Sequence, residues 1–361
     1  MNKMIESLAK LIPQEEPKYE NPLDKEYVLR VNHLKTYYFT SRGAVKAVDD
    51  VTVWLRRGES LGLAGESGCG KTTLASSILN MVTPPGRIVS GEVWVDGIDV
   101  TKLSEEELRK KVRWKKVSMV FQGSMNALNP VYRIGYQMAE PLMYHYGIEQ
   151  EEALEVVKKY LELVGLSPAV AERYPHELSG GMKQRVVIAM ALILNPPLII
   201  ADEPTTALDV VVQAQIMNLL KRIKNETKKS FIFITHDLSI LSEVSDNVLV
   251  MYGGKMVEWG TGDDIYLNPQ HPYTQKLISA IPRVHMDVEH LEYIPGVPPD
   301  LINPPSGCRF HPRCPYAMEK CKQEEPPIFR VNKKHFVACW LYEKEGEKVD
   351  DLQKLLEEEG L

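Results

Sequence analysis

The chain of 361 residues lacks several features that would place it in other classes of protein. Its N-terminus has no basic segment followed by an apolar one, the build of a signal peptide. No run approaches the roughly 18 apolar residues that a membrane helix needs. The nearest, Val186 to Leu194, is stopped by Asn195-Pro196-Pro197. The net charge of −6 argues against nucleic acid as the main partner. These absences predict a cytosolic protein, which could still dock on a membrane protein.

Cysteine is also scarce, with five in the chain, and four of them lie in its last sixth. In a reducing compartment such a cluster indicates a metal site rather than disulfide bonds. The four follow a C-x5-C-x6-C-x17-C spacing, as Cys308, Cys314, Cys321 and Cys339. Four thiolates suit Zn²⁺ or an iron–sulfur cluster, and the lack of C-x2-C and C-x4-C pairs favours the cluster only slightly. Free thiols are the third interpretation.

Composition and hydrophobic periodicity divide the chain into four predicted parts. Residues 1–26 form a tail, in which a short helix precedes a linker rich in Pro and Glu; that helix either binds a membrane or partner, or is loosely docked. Residues 27–262 form the main domain. Residues 263–342 form a loop-rich extension that holds the four cysteines, and residues 343–361 form a charged, solvated helix. The apolar face of the N-terminal helix would consist of Met4, Ile5, Leu8, Leu11 and Ile12.

Strands and helices alternate from Tyr27 onward, which predicts an α/β domain. Helices are predicted for Lys71–Met81 and Glu151–Val164, within a region of helical pattern from Met125 to Leu178. Gly253-Gly254 predicts a hairpin turn between its two flanking strands. The predicted strands are Ser60–Ala64, Ile88–Asp96, Val117–Phe121, Leu198–Ala201, Phe231–Thr235, Val248–Tyr252 and Lys255–Trp259.

Residues Gly65 to Thr72 fit the phosphate-loop pattern G-x-x-x-x-G-K-[ST] and lie between a predicted strand and helix. Backbone N–H groups of such a loop surround phosphate oxygens, and the helix N-terminus adds favourable charge. Lys71 can reach the β- and γ-phosphates, and the Thr72 hydroxyl can bind Mg²⁺. Cys69 is expected to act through its backbone N–H rather than its thiol. The residues expected to line the nucleotide here are Ser67, Gly68, Cys69, Gly70, Lys71, Thr72 and Thr73.

A pair of acidic residues, Asp202 and Glu203, follows the apolar strand Leu198–Ala201. A carboxylate at the end of a buried strand is suited to hold Mg²⁺ beside a phosphate loop. Two adjacent buried acids without a partner would be costly, and a bound cation would relieve that cost. We therefore predict Asp202 as a magnesium ligand.

The run Leu178 to Arg185 reads LSGGMKQR, and it precedes the Asp202-Glu203 strand. This run resembles the signature motif of the ATP-binding-cassette (ABC) ATPases, and the chain carries the phosphate loop upstream of it. Gln122 is similar to the Q-loop glutamine of that family, Ala207-Leu208-Asp209 to its D-loop, and His236 to its switch histidine. The resemblance implies a P-loop NTPase nucleotide-binding domain, with a RecA-like core, an antiparallel β subdomain and a helical subdomain at about residues 124–180.

The resemblance also implies a mechanism in which two ATP molecules lie at a head-to-tail interface of two ATPase subunits. Glu203 would orient the attacking water, His236 would contact the γ-phosphate, and Gln122 would complete the Mg²⁺ site. Tyr38 would stack on adenine, with Tyr37 as the second choice. The residues that would serve the ATP or the interface of the neighbouring subunit are Ser179, Gly180, Gly181 and Asp209.

Two further stretches are similar to the oligopeptide/dipeptide/nickel importer branch of the family. They are the FQGSMNALNP run from Phe121 and the NPQHPYTQKL run from Asn268; Gly123 departs from the acid that this branch often carries. A Pro-flanked turn is favoured over metal binding for His271. Members of this branch with such C-terminal cysteines carry a four-iron four-sulfur (4Fe-4S) cluster, so the resemblance implies that cofactor, with Zn²⁺ as the alternative.

The implied function is the ATP-hydrolysing subunit of a peptide importer at the cytoplasmic face of the cell membrane. Its implied partners are a second, related but non-identical ATPase, two permease subunits and an extracytoplasmic substrate-binding protein. Nickel and oligosaccharides remain alternative cargoes. A soluble ABC ATPase acting on DNA or ribosomes is the alternative function, and the acidic balance and single cassette argue against it. The presence of Glu203 and His236 argues against a regulatory protein that binds ATP without hydrolysing it.

Overall fold

The computed structural model describes Tyr19, residues 21–280 and residues 294–359. The predicted apolar helix near the N-terminus lies outside the described residues. Within the described ranges, no helix combines the length and apolar character needed to cross a membrane.

The strands alternate with helices along the chain, as the sequence predicts. The strands are β1 (Tyr27–Thr40), β2 (Gly43–Arg56), β3 (Ser60–Ala64), β4 (Gly86–Val95), β5 (Ile98–Asp99), β6 (Val117–Val120), β7 (Leu198–Asp202), β8 (Ser230–Ile234), β9 (Asn247–Tyr252), β10 (Lys255–Thr261), β11 (Ile328–Asn332), β12 (His335–Val337) and β13 (Glu347–Val349).

The α-helices are α1 (Pro22–Glu26), α2 (Lys71–Ile78), α3 (Glu105–Glu107), α4 (Ile134–Tyr146), α5 (Gln150–Leu163), α6 (Gly180–Leu192), α7 (Val210–Thr227), α8 (Leu238–Val244), α9 (Gly262–Leu267), α10 (Pro272–Ser279), α11 (Glu319–Gln323) and α12 (Leu352–Glu359). Short turns of 3₁₀-helix complete the regular structure at Val100–Lys102, Ser124–Ala127, Pro168–Glu172, Pro175–Glu177, His311–Arg313 and Trp340–Tyr342, with a π-helical turn at Leu108–Val112.

The chain forms two compact units. The first contains Met1–Val28 as far as it is described, Arg56–Glu59 and Val95–Ile232. Here β6 pairs in parallel with β7, and α6 packs against β6. Helix α5 packs against both α4 and α6. It buries one apolar face, because its apolar residues recur at helical spacing. Its buried residues are Ala153, Val156, Val157, Tyr160, Leu161 and Leu163.

The second unit contains Leu29–Leu55, Ser60–Trp94 and Phe233–Leu361 as far as it is described. Strand β3 pairs in parallel with β9, and β9 forms an antiparallel hairpin with β10. The sheet continues through antiparallel pairs from β10 to β12, β11 and β13. In a separate sheet, β1 lies between β2 and β4. The phosphate loop therefore follows a buried central strand, β3.

Two predicted elements differ from the structure. The predicted helix Lys71–Met81 ends earlier, at Ile78, because Asn80 adopts a left-handed backbone with a φ of 46°. The predicted solvated helix over residues 343–361 is wrong in its first part, where Glu347–Val349 instead pairs with Ile328–Asn332 as a strand. The helix that follows is docked rather than solvated, since Leu356 is fully buried.

Candidate functional site

The phosphate loop runs from the end of β3 to the start of α2 and approaches other backbone segments closely. Gly65 has a φ of 140°, and an added Cβ there would lie 2.3 Å from the Met251 carbonyl oxygen. Gly70 has a φ of 111°, and its Cβ would lie 2.2 Å from the Ala47 carbonyl oxygen. Both positions therefore require glycine, for conformation and for space.

Lys71 lies at the centre of this loop and is only 5% exposed. Its Nζ donates to the carbonyl oxygens of Gly65, at 2.6 Å, and of Glu66, at 3.0 Å. No side chain caps the N-terminus of α2, which begins after Gly70, so its first N–H groups are available to an anion. Thr72 is exposed beside them. Ser67, Gly68 and Thr73 share this loop and helix start, so the predicted phosphate ligands are together in the second unit.

Cys69 points its thiol inward, where Sγ lies 3.6 Å from Lys71 Nζ. Burial raises the pKa of this thiol, and the nearby Lys71 ammonium only partly opposes that rise. The thiol is therefore neutral, and the role of the Cys69 backbone N–H in holding phosphate stays a prediction.

The three aromatic residues of β1 that could meet adenine differ in their surroundings. The Tyr37 hydroxyl donates to Asp49, which commits this side chain to the protein. The Tyr38 ring is half-buried against Gly86, whose Cβ, if present, would lie 2.6 Å from Tyr38 Cε1. Phe39 is exposed, with the Arg87 guanidinium 4.4 Å from its ring centroid. Tyr38 stays the predicted adenine contact.

His236 follows the carboxyl end of β8 and is exposed. The next residue, Asp237, caps α8 by accepting a hydrogen bond from the Ser239 N–H at 2.9 Å. This cap fixes the turn that carries His236, so the imidazole is held at a strand end, where ligand-binding residues of parallel sheets usually lie.

Asp202 and Glu203 lie at the carboxyl end of β7 in the first unit. Asp202 is 2% exposed and is the last residue of the strand. Glu203 adopts a left-handed backbone with a φ of 45°. Gln122 Nε2 donates to Glu203 Oε2 at 2.6 Å, and the Thr206 hydroxyl donates to the same oxygen at 3.3 Å. The structure thus brings two predicted catalytic residues, Gln122 and Glu203, into direct contact.

The predicted signature residues form the start of α6, also in the first unit. Ser179 caps the helix by accepting a hydrogen bond from the Met182 N–H at 3.3 Å. An added Cβ on Gly181 would lie 2.8 Å from Val212 Cγ1, whereas one on Gly180 would lie 3.4 Å from its nearest neighbour. Asp209 caps α7 in the same way, and the signature therefore packs on the segment that begins with the D-loop.

The sequence did not predict a contact between Glu66 of the phosphate loop and the C-terminal extension. Arg313 donates from Nη1 to Glu66 Oε2 at 2.6 Å and from Nη2 to Glu66 Oε1 at 2.9 Å. The Glu66 N–H donates to the Tyr273 hydroxyl at 2.7 Å. The only sequence signal for this contact was the HPYT stretch, His271 to Thr274, which contains Tyr273. In that stretch His271 caps α10 through Nδ1, which confirms the predicted turn role.

The cysteines of the C-terminal extension line a single recess in the second unit, together with aromatic and histidine side chains. Burial raises the pKa of the Cys308 thiol to about 11 and that of Cys339 to about 12, and the neighbouring cysteines add to each rise. The thiols do not form a preformed metal site: within the described ranges, no group of three or more His, Cys, Asp or Glu side chains could hold a metal ion. The recess is lined by Cys308, Cys314, Cys321 and Cys339.

Comparison with known proteins identifies the family of this chain. Residues 48–206 match the family model described as ABC transporter, and residues 257–321 match the model for the oligopeptide/dipeptide transporter C-terminal region. The chain is 45% identical over 322 residues to the oligopeptide transport ATP-binding protein AppD of Bacillus subtilis, covering 88% of this chain and 98% of that protein. It belongs to the oligopeptide/dipeptide branch of the ABC transporter ATPases.

Other relatives agree with this assignment. The dipeptide transport ATP-binding protein DppD of Caldanaerobacter subterraneus is 44% identical over 320 residues, covering 88% of this chain and 98% of that protein. A dimeric ATP-binding cassette solved in a post-hydrolysis state with ADP and Pi is 30% identical, with a TM-score of 0.57, and covers 64% of this chain and 98% of its own. CbiO1 from Clostridium perfringens, part of an ABC transporter complex, is 27% identical with a TM-score of 0.59. The match covers 67% of this chain and 92% of that chain.

Membership of this branch confirms the predicted P-loop α/β nucleotide-binding fold and the predicted ABC ATPase activity coupled to import. The roles of individual residues and the domain boundaries at 26, 262 and 342 stay predictions. So does the metal cluster, because the C-terminal family match covers its first three cysteines without showing what they bind.

Proposed function

We propose that this ABC ATPase energises the import of peptides or a related small solute through two membrane permease subunits. The proposal rests most directly on the relatives, which are named oligopeptide and dipeptide transport ATP-binding proteins and match this chain over nearly their full length. The chain would lie at the cytoplasmic face of the membrane. An extracytoplasmic binding protein would deliver the cargo to the permeases.

In the proposed nucleotide site, the phosphate loop would hold ATP, and Asp202 and Glu203 at the end of β7 would contribute a magnesium ligand and the residue that orients water. Lys71 is already held at the centre of the loop by carbonyl oxygens, so it can exchange these contacts for phosphate oxygens. Thr72, Gln122 and Asp202 would hold Mg²⁺. Glu203 would orient the attacking water, and His236 would contact the γ-phosphate. Tyr38 would stack on adenine.

The proposed reaction needs a second ATPase subunit. Ser179, Gly180 and Gly181 stand at the N-terminus of α6, where N–H groups and the helix dipole attract anions. They would contact the ATP of the neighbouring subunit, and Asp209 would lie at the same interface. The neighbour is proposed to be a related, non-identical chain. Closing and reopening of the two subunits would move the permeases between their two states.

The four cysteines of the recess are proposed to hold a 4Fe-4S cluster. The observation that supports a shared site is that all four cysteines line one recess. Four thiolates can hold either a 4Fe-4S cluster, with one thiolate at each iron atom, or a tetrahedral Zn²⁺. When bound, the cluster would supply a cross-link for this loop-rich extension.

Anaerobic purification tests the cysteine assignment. We expect iron and sulfide in equal amounts, a brown protein with visible absorbance, and loss of the colour in Cys321→Ser. Cys69→Ser is the matched control, because Cys69 lies in the phosphate loop rather than in the recess, and it should keep the colour. A colourless protein with stoichiometric zinc would contradict the cluster.

Co-purification from native membranes tests the importer itself. The full chain, carrying an affinity tag, should bring down two membrane permeases and a second ATPase, and ATP hydrolysis by that complex should rise when loaded binding protein is added. Peptide, nickel and oligosaccharide are separate arms of the experiment. Recovery of ribosomes or DNA in place of permeases would reject the proposal.

A further inference from the structure

The C-terminal extension reaches the phosphate loop through a buried arginine. Arg313 is 8% exposed, and its two terminal nitrogens bind the two carboxylate oxygens of Glu66. This is the two-pronged geometry that a guanidinium forms with a carboxylate and that a lysine cannot reproduce. Glu66 is the residue directly after Gly65, so the contact grips the first turn of the loop.

The backbone of Glu66 is held as firmly as its side chain. Its N–H donates to the hydroxyl of Tyr273, which is fully buried, and its carbonyl oxygen accepts from Lys71 Nζ at 3.0 Å. The N–H, the carbonyl and the carboxylate of Glu66 therefore all have protein partners. Of these partners, Arg313 and Tyr273 come from the C-terminal extension. The extension thus contributes to the position of the carbonyl that holds Lys71.

Arg313 is itself fixed by its own surroundings. Its Nε donates to the Pro295 carbonyl oxygen at 2.8 Å, and its Nη1 also reaches the Tyr252 hydroxyl at 3.3 Å. The rings of Tyr252, Tyr273 and Phe310 pack together with centroids 4.6 to 5.3 Å apart. A side chain with this many hydrogen-bond and packing partners has little freedom to move, so the position of Arg313 constrains the position of Glu66.

We propose that Arg313 and Tyr273 are positioning residues for ATP binding, which hold Glu66 and thereby set the shape of the phosphate loop. The extension is then part of the nucleotide site and not only an attachment to it. This inference rests on the chain being an ABC ATPase. ATP binding by the wild-type chain is measured first, so failure of the proposed function is seen separately.

A second arginine, which is partly buried, provides a matched control. Arg309 lies in the same extension and pairs with Asp49 on β2, and it also donates to the Gly253 carbonyl oxygen. It therefore holds the extension in place as Arg313 does, without touching Glu66. Comparison of the single variants Arg313→Lys and Arg309→Lys separates two effects: positioning of the phosphate loop, and docking of the C-terminal extension.

The test measures the affinity of the full chain for a fluorescent ATP analogue with Mg²⁺. We expect Glu66→Gln and Arg313→Lys each to raise Kd about tenfold, since displacement of positioning groups by a fraction of an ångström is felt at the ligand. Tyr273→Phe should raise Kd by a smaller factor, because it removes only the hydroxyl acceptor. Arg309→Lys should bind as the wild type does. Thermal unfolding and the metal content of Glu66→Gln report whether fold and cysteine site are intact.

The double variant Glu66→Gln/Arg313→Lys gives a stricter criterion. If the two residues act as one unit, its Kd matches that of the worse single variant, so the effects are not additive. Kd values of Glu66→Gln and Arg313→Lys within twofold of the wild type would overturn the proposal. So would an equal rise in Arg309→Lys, or full additivity in the double variant.

Discussion

The Gln122 side-chain amide donates a hydrogen bond to the Glu203 carboxylate at 2.6 Å. A carboxylate that accepts from an amide and from the Thr206 hydroxyl is held in a definite orientation. The left-handed backbone of Glu203 is uncommon for a residue with a side chain, and such conformations are concentrated at active sites.

Replacement of Glu203 by glutamine tests its role as the residue that orients water. Glu203→Gln keeps the size and hydrogen-bonding capacity of the side chain, so ATP binding should stay near the wild-type value, while hydrolysis should fall about 100-fold or more. Steady-state phosphate release and nucleotide binding measure the two effects. Glu155→Gln, on the exposed face of α5 beside Lys158, should keep full turnover. Near-normal hydrolysis by Glu203→Gln would remove Glu203 from the mechanism.

Contacts between residues close in sequence were predictable, whereas contacts between distant residues were not. The phosphate loop is encoded within eight residues, so its pattern alone places Lys71 between a strand and a helix. The pairing of Glu66 with Arg313 joins residues that are 247 positions apart. No local pattern specifies such a partner, and it depends on how the extension folds back within the second unit. The Gln122 contact with Glu203 was likewise outside the reach of local sequence rules.

At the scale of elements, the start of α6 is fitted closely to the start of α7. Gly181→Ala would place a Cβ 2.8 Å from Val212 Cγ1, so the Val212 side chain or its backbone would have to shift. We expect it to lower the free energy of unfolding by about 1–3 kcal/mol, the usual cost of overpacking. Gly180→Ala, with 3.4 Å to its nearest neighbour, should cost much less. Denaturant unfolding of the two variants measures the difference, and equal stabilities would refute the packing argument.

The last helix, α12, shows where charge composition misleads. Its many charged residues predict a solvated helix. In the structure, however, its apolar residues at helical spacing pack against the protein, and Leu352 and Leu356 are buried. Strand β13 before it pairs with β11, a contact set by the sheet and not by local propensity.

Truncation of Leu356 tests whether α12 is docked. Leu356→Ala should destabilise the chain by about 2–4 kcal/mol, as for other fully buried leucines. Lys354→Ala, on the exposed face of the same helix, should leave stability unchanged within about 0.5 kcal/mol. Equal unfolding midpoints for the two variants would restore the solvated-helix prediction.

For the whole molecule, the sequence predicted the family and its fold because the ABC motifs keep their order and spacing along the chain. The four cysteines were placed correctly in one region, and the structure gathers them at one recess. What they bind depends on sulfur positions within a few tenths of an ångström, which neither spacing nor loop composition determines. The partners depend on surfaces of other chains.

The central claim is that ATP hydrolysis by this chain drives import through membrane partners. The most direct measurement is uptake of labelled peptide into proteoliposomes that contain the complex co-purified with this chain, supplied with ATP and binding protein. We predict uptake with the wild type and with Glu155→Gln, and loss of both uptake and ATP consumption with Glu203→Gln. Uptake that persists with Glu203→Gln, or wild-type hydrolysis that moves none of the offered cargoes, would contradict the account.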